Sequence, residues 1–214
     1  SEDHNSFSRI VNADFEIIGT DFVYGEGMEE VNLVLSNSVE AEEEERDRSV
    51  YVENMLRKIQ MTEGACGILH IDISEFYKSI YTHMLSAIKI GVDGAKEAFL
   101  KDSQDEGYRK YVALDDRIRR LNGARTNGIL VGPYISRIIS EAILARVDIE
   151  LRVAGFTFSR YADDYEIAVY KEEDLEDIKS ELVVILDRYN FRINNEKTYY
   201  EKYPFYMFSN YEKI

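Results

Sequence analysis

Two adjacent carboxylates, Asp163 and Asp164, are the residues of this sequence that most directly indicate chemistry. They separate two stretches, residues 156–161 and 165–169, in which apolar side chains alternate with other types. Such alternation predicts the two strands of a β-hairpin with the carboxylates at its turn. Adjacent carboxylates repel each other unless a cation holds them together, and Mg²⁺ takes oxygen ligands from a few carboxylates and substrate phosphates. The turn therefore predicts half of a metal site.

A third carboxylate, Asp72, lies in the apolar run at residues 67–73, which predicts another strand. An unpaired buried charge costs several kcal/mol, so we expect Asp72 at the strand end or beside a counter-ion. Three carboxylates from two neighbouring strands can bind two divalent ions about 3.5–4 Å apart, as polymerases do for displacement at a phosphate. We therefore predict a site for two Mg²⁺ ions, or Mn²⁺ in their place.

A second acidic pair, Asp115 and Asp116, provides a comparison, because 41 acidic residues will produce such pairs by chance. It lies in a helix-like stretch, where Asp115 faces Arg119 and Asp116 faces Arg120 at a spacing of four residues. Surface ion pairing explains that pair completely. The pair at residues 163–164 has no such partners, although the turn alone leaves both a catalytic pair and a chance pair open.

Four segments occur in a fixed order: HIDISEFYKSIYTH (residues 70–83), TNGILVGPYISRIISEAIL (126–144), FSRYADDYEI (158–167) and INNEKT (193–198). This set resembles a reverse transcriptase. The first two segments resemble the bacterial abortive-infection and anti-phage defence enzymes more than the retroviral ones. The resemblance covers about residues 67–198. It implies an α+β fold: a polymerase palm, with a ferredoxin-like antiparallel sheet, helices on one face and remnants of fingers.

The resemblance also implies roles for individual residues. Asp72, Asp163 and Asp164 match the metal-binding carboxylates, with Asp164 the more peripheral, and Lys197 matches a lysine near the triphosphate that donates a proton to the leaving pyrophosphate. Tyr77 matches an aromatic residue under the incoming sugar, where a 2′-hydroxyl would collide with the ring, so deoxynucleotides are expected. The alternatives are a core aromatic at Tyr77 and a solvated lysine at 197.

The remaining expected contacts come from the same segments. Residues next to Asp72 and in the following loop would bind the nucleotide: Ile73, Phe76, Tyr77, Asn127 and Gly128, with Phe76 also turned toward the core. Residues around that loop would contact template or nucleic acid: Arg125, Thr126, Gly132 and Pro133. Many relatives have glutamine where this chain has Arg125, which cannot accept hydrogen bonds, so positioning of the template or nucleotide is expected to differ.

Apolar periodicity predicts two long helices and a final strand. Gly155 is expected to end the first helix, and acids at residues 172–174 begin the second, where the helix dipole favours negative charge. A final strand is expected from about Phe191. The predicted core faces of the two helices are Ile135, Ile138, Ile139, Ala142, Ile143 and Leu151, then Leu175, Ile178, Leu182, Leu186 and Tyr189.

Charge is unevenly distributed along the 214 residues, whose net charge is −15. Residues 1–66 contain 16 acidic and 5 basic residues, whereas residues 101–160 contain 11 basic and 8 acidic ones. This net charge opposes the basic footprint of a nucleic-acid binder. A local strip of basic residues is either a phosphate-contact surface or ordinary helix ion pairing. Its members are Arg109, Lys110, Arg117, Arg119, Arg120 and Arg125.

Composition limits the other possibilities. The single cysteine, Cys66, excludes an intramolecular disulfide and a cysteine-cluster zinc site, and His83 is expected to pack or hydrogen bond within a helix. No run of 18 apolar residues predicts a membrane span. The single cysteine suits a reducing cytosol, and the resemblance implies a bacterial protein, so a bacterial cytoplasmic location is expected. Residues 25–27 predict a turn, and residues 39–48 predict a solvated helix end or linker.

We divide the chain into an acidic fingers-side or linker region, residues 1–66, and a reverse transcriptase palm, residues 67–214, with no recognisable thumb. The chain is therefore expected to be part of a longer polypeptide, acting as a homo-oligomer or with a partner chain that supplies basic surface. The predicted function is RNA-directed or template-independent DNA synthesis from dNTPs on nucleic acid, in anti-phage defence. The alternatives are a palm-fold nucleotidyl cyclase, whose GG(D/E)EF-like turn is absent, and a non-catalytic acidic interaction module.

Overall fold

A four-stranded antiparallel sheet organises the computed structural model, which describes residue 56 and residues 58–204. The turn at residues 25–27, the acidic run at 39–48 and nearly all of the proposed 1–66 region lie outside the described residues. Within the described part of the chain, no helix is both long and apolar enough to cross a membrane.

The elements follow one another as strand, helices, hairpin, helix and strand. Two 3₁₀ helices, Thr82–Ser86 and Glu172–Asp174, connect longer elements. In chain order the strands and α-helices are β1 Gly67–Asp72, α1 Phe76–Ser79, α2 Ala87–Leu100, α3 Glu106–Leu121, α4 Tyr134–Val153, β2 Phe158–Tyr161, β3 Asp164–Val169, α5 Leu175–Arg188 and β4 Tyr199–Lys202.

The sheet has the spatial order β2-β3-β1-β4, with every pair antiparallel. This arrangement agrees with the α+β palm that the sequence predicts. One sheet face carries buried apolar side chains, among them Leu69, Ile71 and Ile167, which join the helices in the core. The opposite face carries polar side chains toward the end of β1 where Asp72 lies. Alternation along each strand produces the two different faces.

The predicted hairpin is confirmed, and β2 begins at Phe158 rather than at residue 156. Its turn is formed by Ala162 and Asp163, and Ala162 has a φ of 51°. Hairpin turns of two residues use positive φ because it matches the twist of the flanking strands. A non-glycine residue in this conformation is strained by about 1–3 kcal/mol, so contacts around the turn must maintain it.

The two long helices follow the predicted periodicity closely. Helix α4 begins one residue after Pro133, and Gly155 stops it with a φ of 89°. Its predicted core residues Ile139, Ala142, Ile143 and Leu151 are buried, whereas Ile138 is partly buried and Ile135, in the first turn, is 41 % exposed. Helix α5 buries the predicted residues Leu182 and Leu186 completely.

The predicted final strand from Phe191 is wrong. Asn190 follows α5 with a φ of 64°, and the Phe191 amide donates to the Leu186 carbonyl, so the chain turns back at the helix end. Ile193 then makes only an isolated bridge to Ile73. The strand β4 starts at Tyr199, after the left-handed residue and a further turn at residues 194–198 have redirected the backbone.

The predicted surface pairing of Asp115 with Arg119 is also wrong. Asp115 is buried, and its Oδ2 lies 2.6 Å from His83 Nδ1, so His83 does hydrogen bond as expected. Asp116 instead pairs with both arginines, at 3.0 Å from Arg119 and 2.7 Å from Arg120. Neighbouring residues on a helix point about 100° apart, so Asp115 can be buried while Asp116 stays within reach of both arginines.

Core packing of α5 yields a testable expectation. Leu182 is 0 % exposed and Val184, on the same helix, is 64 % exposed. Leu182→Ala should reduce the free energy of unfolding by about 2–5 kcal/mol, because it leaves a cavity in the core. The matched change Val184→Ala should stay within about 0.5 kcal/mol. Urea unfolding measures both, and equal effects would contradict the assigned orientation of α5.

Candidate active site

The three predicted carboxylates meet at one end of the sheet. Asp72, the last residue of β1, lies directly opposite Asp164, the first residue of β3. Asp164 in turn pairs with Tyr161 of β2, and Asp163 occupies the turn between them. Directly opposed residues of antiparallel strands project from the same face, so Tyr161, Asp164 and Asp72 form one cross-strand row. Residues 92 positions apart are thereby brought side by side.

The Asp72 carboxylate is held by two side chains from the turn before β4. Asn194 Nδ2 donates to its Oδ1 at 2.8 Å, and Lys197 Nζ donates to its Oδ2 at 3.2 Å. The backbone N–H of Asn194 also donates to the backbone carbonyl of Asp72 at 2.8 Å. Asp72 therefore has the counter-ion that a carboxylate in an apolar strand requires. Lys197, which the sequence placed near the triphosphate, lies within hydrogen-bonding distance of the first carboxylate.

The other two carboxyls are electrostatically unfavourable in the charged form. Burial raises the pKa of Asp163 above its ordinary value, and the charges of Asp164 and Asp72 raise it further. Burial likewise raises the pKa of Asp164, with Asp72 adding to the shift and Lys197 opposing it. Crowded carboxylates of this kind are relieved by a bound cation. Asp163 is half-buried and Asp164 is exposed.

The carboxylates of Asp72, Asp163 and Asp164 are chemically suited to a hard divalent cation, but their side chains do not converge on one point. Among the residues that the structure describes, no three Asp, Glu, His or Cys side chains converge as a ready metal-binding group. Lys197 instead neutralises part of the charge at Asp72. Carboxylate oxygens at a strand end and a turn are the ligands that Mg²⁺ and Mn²⁺ prefer, so Asp72, Asp163 and Asp164 fit the predicted metals by chemistry.

A buried arginine on the core side of the sheet forms a hydrogen bond to the acidic turn. Arg160 of β2 is fully buried and makes close hydrogen bonds to Asp148 and Glu141 of α4, the shortest to each being 2.8 Å and 2.9 Å. Its Nη1 also donates to the Ala162 carbonyl at 2.8 Å, and Tyr165 donates to Asp148 at 3.1 Å. The guanidinium therefore joins α4 to the residue with positive φ in the turn.

The charges in this cluster depend on one another. Burial by itself would lower the pKa of the Arg160 guanidinium, but Asp148 and Glu141 raise it above its ordinary value, so Arg160 stays protonated. Burial raises the pKa of the Asp148 carboxyl, and Arg160 opposes that shift. A planar guanidinium can satisfy two carboxylates and a carbonyl together because its five N–H groups form a fixed fork.

The predicted nucleotide-binding residues are adjacent but differ in exposure. Ile73 and Phe76 are buried in the core, and the Phe76 ring packs against Phe191, so their side chains are not available to a ligand. Tyr77 is only partly buried, and its carbonyl accepts from the Ile129 amide at 2.9 Å. These positions separate the two adjacent aromatics into a core residue and a partly exposed one.

The loop before α4 lies against the segment after β1. Asn127 bridges to Tyr81, and the Gly128 amide donates to the Ile80 carbonyl at 2.9 Å. Gly128 has a φ of 84°, and a Cβ there would lie 3.3 Å from the Lys78 Cα, so this close approach favours glycine. The predicted nucleotide residues Asn127 and Gly128 are thus brought beside Tyr77.

The predicted nucleic-acid contacts lie on the same loop, and half of the basic strip is neutralised by ion pairs. Arg125, Gly132 and Pro133 are exposed, while the Thr126 carbonyl accepts from the Thr82 amide. Lys110 pairs with Glu106, and Arg119 and Arg120 share Asp116. Arg109 donates to the neutral Gln104 side chain, and within the described residues the Arg117 and Arg125 side chains have no protein hydrogen bond or ion pair. Ordinary ion pairing therefore explains half of the strip.

Four residues that support the candidate site by hydrogen bonds were not predicted from the sequence: Asn194, Arg160, Glu141 and Asp148. Arg160 carried a detectable signal, because it alternates with Phe158 and therefore occupies a core-facing position. A charged residue on a core face requires buried partners. Asp148 and Glu141 are seven residues apart and so lie on one helix face, but nothing in the pattern shows that this face meets Arg160.

Comparison with known proteins identifies the family. Residues 30–206 match the reverse transcriptase (RNA-dependent DNA polymerase) family. A structure of apo telomerase from Candida tropicalis aligns with 15 % sequence identity and a TM-score of 0.45, covering 74 % of this chain and 32 % of that one. This likeness is too weak to carry an argument, and the chain spans about a third of the telomerase chain. No curated protein sequence matches.

The domain has an antiparallel sheet with helices on one face and carboxylates at one end. Together with the family match, this architecture identifies it as a palm-type polymerase domain. The chain belongs to the reverse transcriptase family, a family of nucleotidyltransferases.

The buried arginine cluster makes a stability prediction. Arg160→Met should cost about 3–5 kcal/mol of unfolding free energy, because Asp148 and Glu141 would remain buried without their counter-ion. The matched change Arg120→Met removes an exposed pair with Asp116 and should cost less than about 1 kcal/mol. Urea unfolding with both variants tests this, and a mild loss in Arg160→Met would show that the cluster does not stabilise the fold.

The acidic turn makes a prediction about pH and divalent cations. Because the folded state raises the pKa of Asp163 and Asp164 above 3.8, stability falls as pH rises through the range just above that value. At neutral pH, Asp163→Asn should therefore raise the melting temperature by a few degrees. Millimolar Mg²⁺ or Mn²⁺ should raise the melting temperature of the wild type and do so less in this variant. An equal response of both proteins to the cations would contradict the site.

Proposed function

We propose that this domain is a DNA polymerase that adds deoxynucleotides to a 3′-hydroxyl by a two-metal mechanism, copying RNA or extending DNA without a template. The observation that carries the proposal is the register of the sheet, which sets Asp72 opposite Asp164 with Asp163 in the adjoining turn. Two divalent cations, Mg²⁺ or Mn²⁺, would supply activation of the attacking hydroxyl and neutralisation of the triphosphate.

The residues of the chain have separate tasks in this scheme. Asn194 and Lys197 hold the Asp72 carboxylate at the sheet end, while Arg160 holds the turn that carries Asp163. Fixed ligands reduce the reorganisation needed when substrate binds, because the charges are already positioned. Removing such a supporting hydrogen bond typically costs about 10–100-fold in metal affinity or activity.

Lys197 has a second task in the proposal. Its ammonium group is exposed and lies 3.2 Å from Asp72, at the end of the sheet where the triphosphate would bind. It can release Asp72 and donate a proton to the leaving pyrophosphate, which acquires negative charge as the phosphoanhydride bond breaks.

Substrate selection is assigned to Tyr77. Its side chain is partly exposed, and its backbone carbonyl lies close to Gly128, whereas the adjacent Phe76 is fixed in the core. A rigid ring under the sugar excludes a 2′-hydroxyl by steric overlap, so dNTPs are the proposed substrates. Arg125 is exposed on the same loop and can stack on a base or bind a phosphate of the nucleic acid.

The proposed biological setting is anti-phage defence. The segments at residues 70–83 and 126–144 support a bacterial, cytoplasmic enzyme of anti-phage defence by their resemblance to abortive-infection reverse transcriptases. The net charge of −15 favours a partner chain that supplies basic surface for nucleic acid, and the alternative assembly that we propose is a homo-oligomer.

Nucleotide incorporation tests the proposed function. The protein is incubated with each dNTP and Mg²⁺, with and without RNA, and products are separated by size. We expect polymer, whereas a cyclic nucleotide would indicate a cyclase and no product an interaction module. Asp163→Asn and Asp164→Asn should each lower incorporation about 100-fold or more, since each ~1.4 kcal/mol of lost transition-state stabilisation is a factor of ten.

The matched control is Asp116→Asn, which alters the partly exposed member of the other acidic pair, on α3. It should leave incorporation unchanged. Full activity in the Asp163→Asn and Asp164→Asn variants, with folding verified by circular dichroism, would refute the assignment.

A further inference from the structure

The sheet face that carries Asp72 and Asp164 also carries an aromatic pair. One row behind the acidic row, Tyr199 of β4 lies opposite His70 of β1, which lies opposite Glu166 of β3. The Tyr199 and His70 rings are stacked, with centroids 4.4 Å apart and planes within 11° of parallel. Tyr199 is nevertheless 56 % exposed. Its outer ring face is therefore available to a further planar group.

The polar neighbours of this pair are already engaged. His70 Nε2 lies 3.0 Å from Glu201 Oε2, and Glu166 accepts from Lys58 at 2.8 Å and from Ser159 at 3.2 Å. These contacts fix the His70 ring under Tyr199 and leave the tyrosine ring as the exposed apolar surface. Burial raises the pKa of the Tyr199 phenol, and the charges of Glu201, Glu166 and Asp164 raise it further, so the phenol stays neutral at physiological pH.

The aromatic pair is close to the candidate active site. His70 and Asp72 are two residues apart on β1, so their side chains lie on the same face about 7 Å apart along the strand. The helices cover the opposite face of the sheet, so a nucleic-acid strand whose 3′ end reaches Asp72 and Asp164 along the sheet would lie on the face that carries the aromatic pair. Stacked bases follow one another at about 3.4 Å along a strand, so this separation corresponds to about two base steps.

We propose that Tyr199, backed by His70, is a stacking platform for a base of the nucleic-acid strand whose 3′ end is extended. This inference rests on the proposed polymerase function and adds the residue that binds the growing strand. Stacking of a base on an exposed aromatic ring is independent of sequence and is worth about 1–3 kcal/mol per base.

The charge around the platform determines how the strand lies. Glu166 and Glu201 flank the ring pair, and the acidic row is adjacent. These carboxylates repel phosphates, so the nucleic-acid strand turns its bases toward the sheet and its phosphate backbone toward solvent. Contact at Tyr199 is therefore apolar, and its contribution to affinity does not depend on salt, unlike that of phosphate contacts.

The absence of tryptophan from this chain permits a direct test. Tyr199→Trp places a single fluorophore on the platform, and Phe99→Trp places one on the exposed surface of α2. Single-stranded oligonucleotides of twelve deoxyadenosines (dA12) or twelve riboadenosines (rA12) are added in the presence of EDTA, which removes divalent cations and prevents nucleotide incorporation. We expect quenching of the emission in the Tyr199→Trp variant and none in the Phe99→Trp variant. Unchanged Tyr199→Trp emission at saturating oligonucleotide would overturn the proposal, as would an equal response of both variants.

Binding measurements supply the second arm. Fluorescence anisotropy with 5′-labelled dA12 and rA12 should show about 5- to 150-fold weaker binding for Tyr199→Ala, the factor that corresponds to 1–3 kcal/mol. Tyr199→Phe retains the ring and should bind within twofold of the wild type, as should the control Phe99→Ala. The slope of affinity against salt should be the same in wild type and Tyr199→Ala.

The outcomes separate this inference from the proposed function. Wild-type affinity in Tyr199→Ala, or no binding of either oligonucleotide to the wild type, overturns the platform even if dNTP incorporation still depends on Asp163. Weakened binding in Tyr199→Ala supports the platform even if the incorporation assay yields no polymer. A preference for dA12 over rA12, or the reverse, identifies the strand that the platform holds.

Discussion

The buried contact of Arg160 with Asp148 and Glu141 is the constraint on which the candidate site depends. A single guanidinium bonds two carboxylates of α4 and the Ala162 carbonyl, so the longest helix, strand β2 and the acidic turn are connected through one residue. Each of these groups would be costly to bury alone. Together they satisfy one another, and the same bonds hold Ala162 in its strained conformation.

The acidic end of the sheet has the opposite energetic character. Asp72, Asp163 and Asp164 are held close by backbone register while their charges repel, and burial raises the pKa of two of them. The fold tolerates this because the stabilising cluster lies directly beneath the turn and because Asn194 and Lys197 engage Asp72. Stability is thus concentrated below the sheet, and electrostatic strain is concentrated where a cation and a substrate would bind.

One face of the sheet packs in the core, and the other face carries the candidate site. One face joins the helices through buried apolar residues, and the other presents the carboxylates with the Tyr199 and His70 rings. Successive side chains of a strand point to opposite faces, so Tyr165 is buried in the core while the preceding residue, Asp164, lies opposite Asp72 on the other face. The same separation occurs in the helix after β1, where Phe76 enters the core and Tyr77 remains partly exposed.

The sequence by itself determined the hairpin, the long helices, the strand that carries Asp72 and the family resemblance. These features arise from local periodicity and short motifs, which depend on residues a few positions apart. Even so, local patterns misplaced the last strand, because a left-handed Asn190 redirected the chain, and they assigned Asp115 to the surface although it bonds His83. Only the tertiary structure decided the pairing of Arg160 with α4, the support of Asp72 by Asn194 and the stacking of Tyr199 on His70. Each joins residues that are distant in the chain, and their proximity depends on strand register and helix packing, which no local pattern encodes.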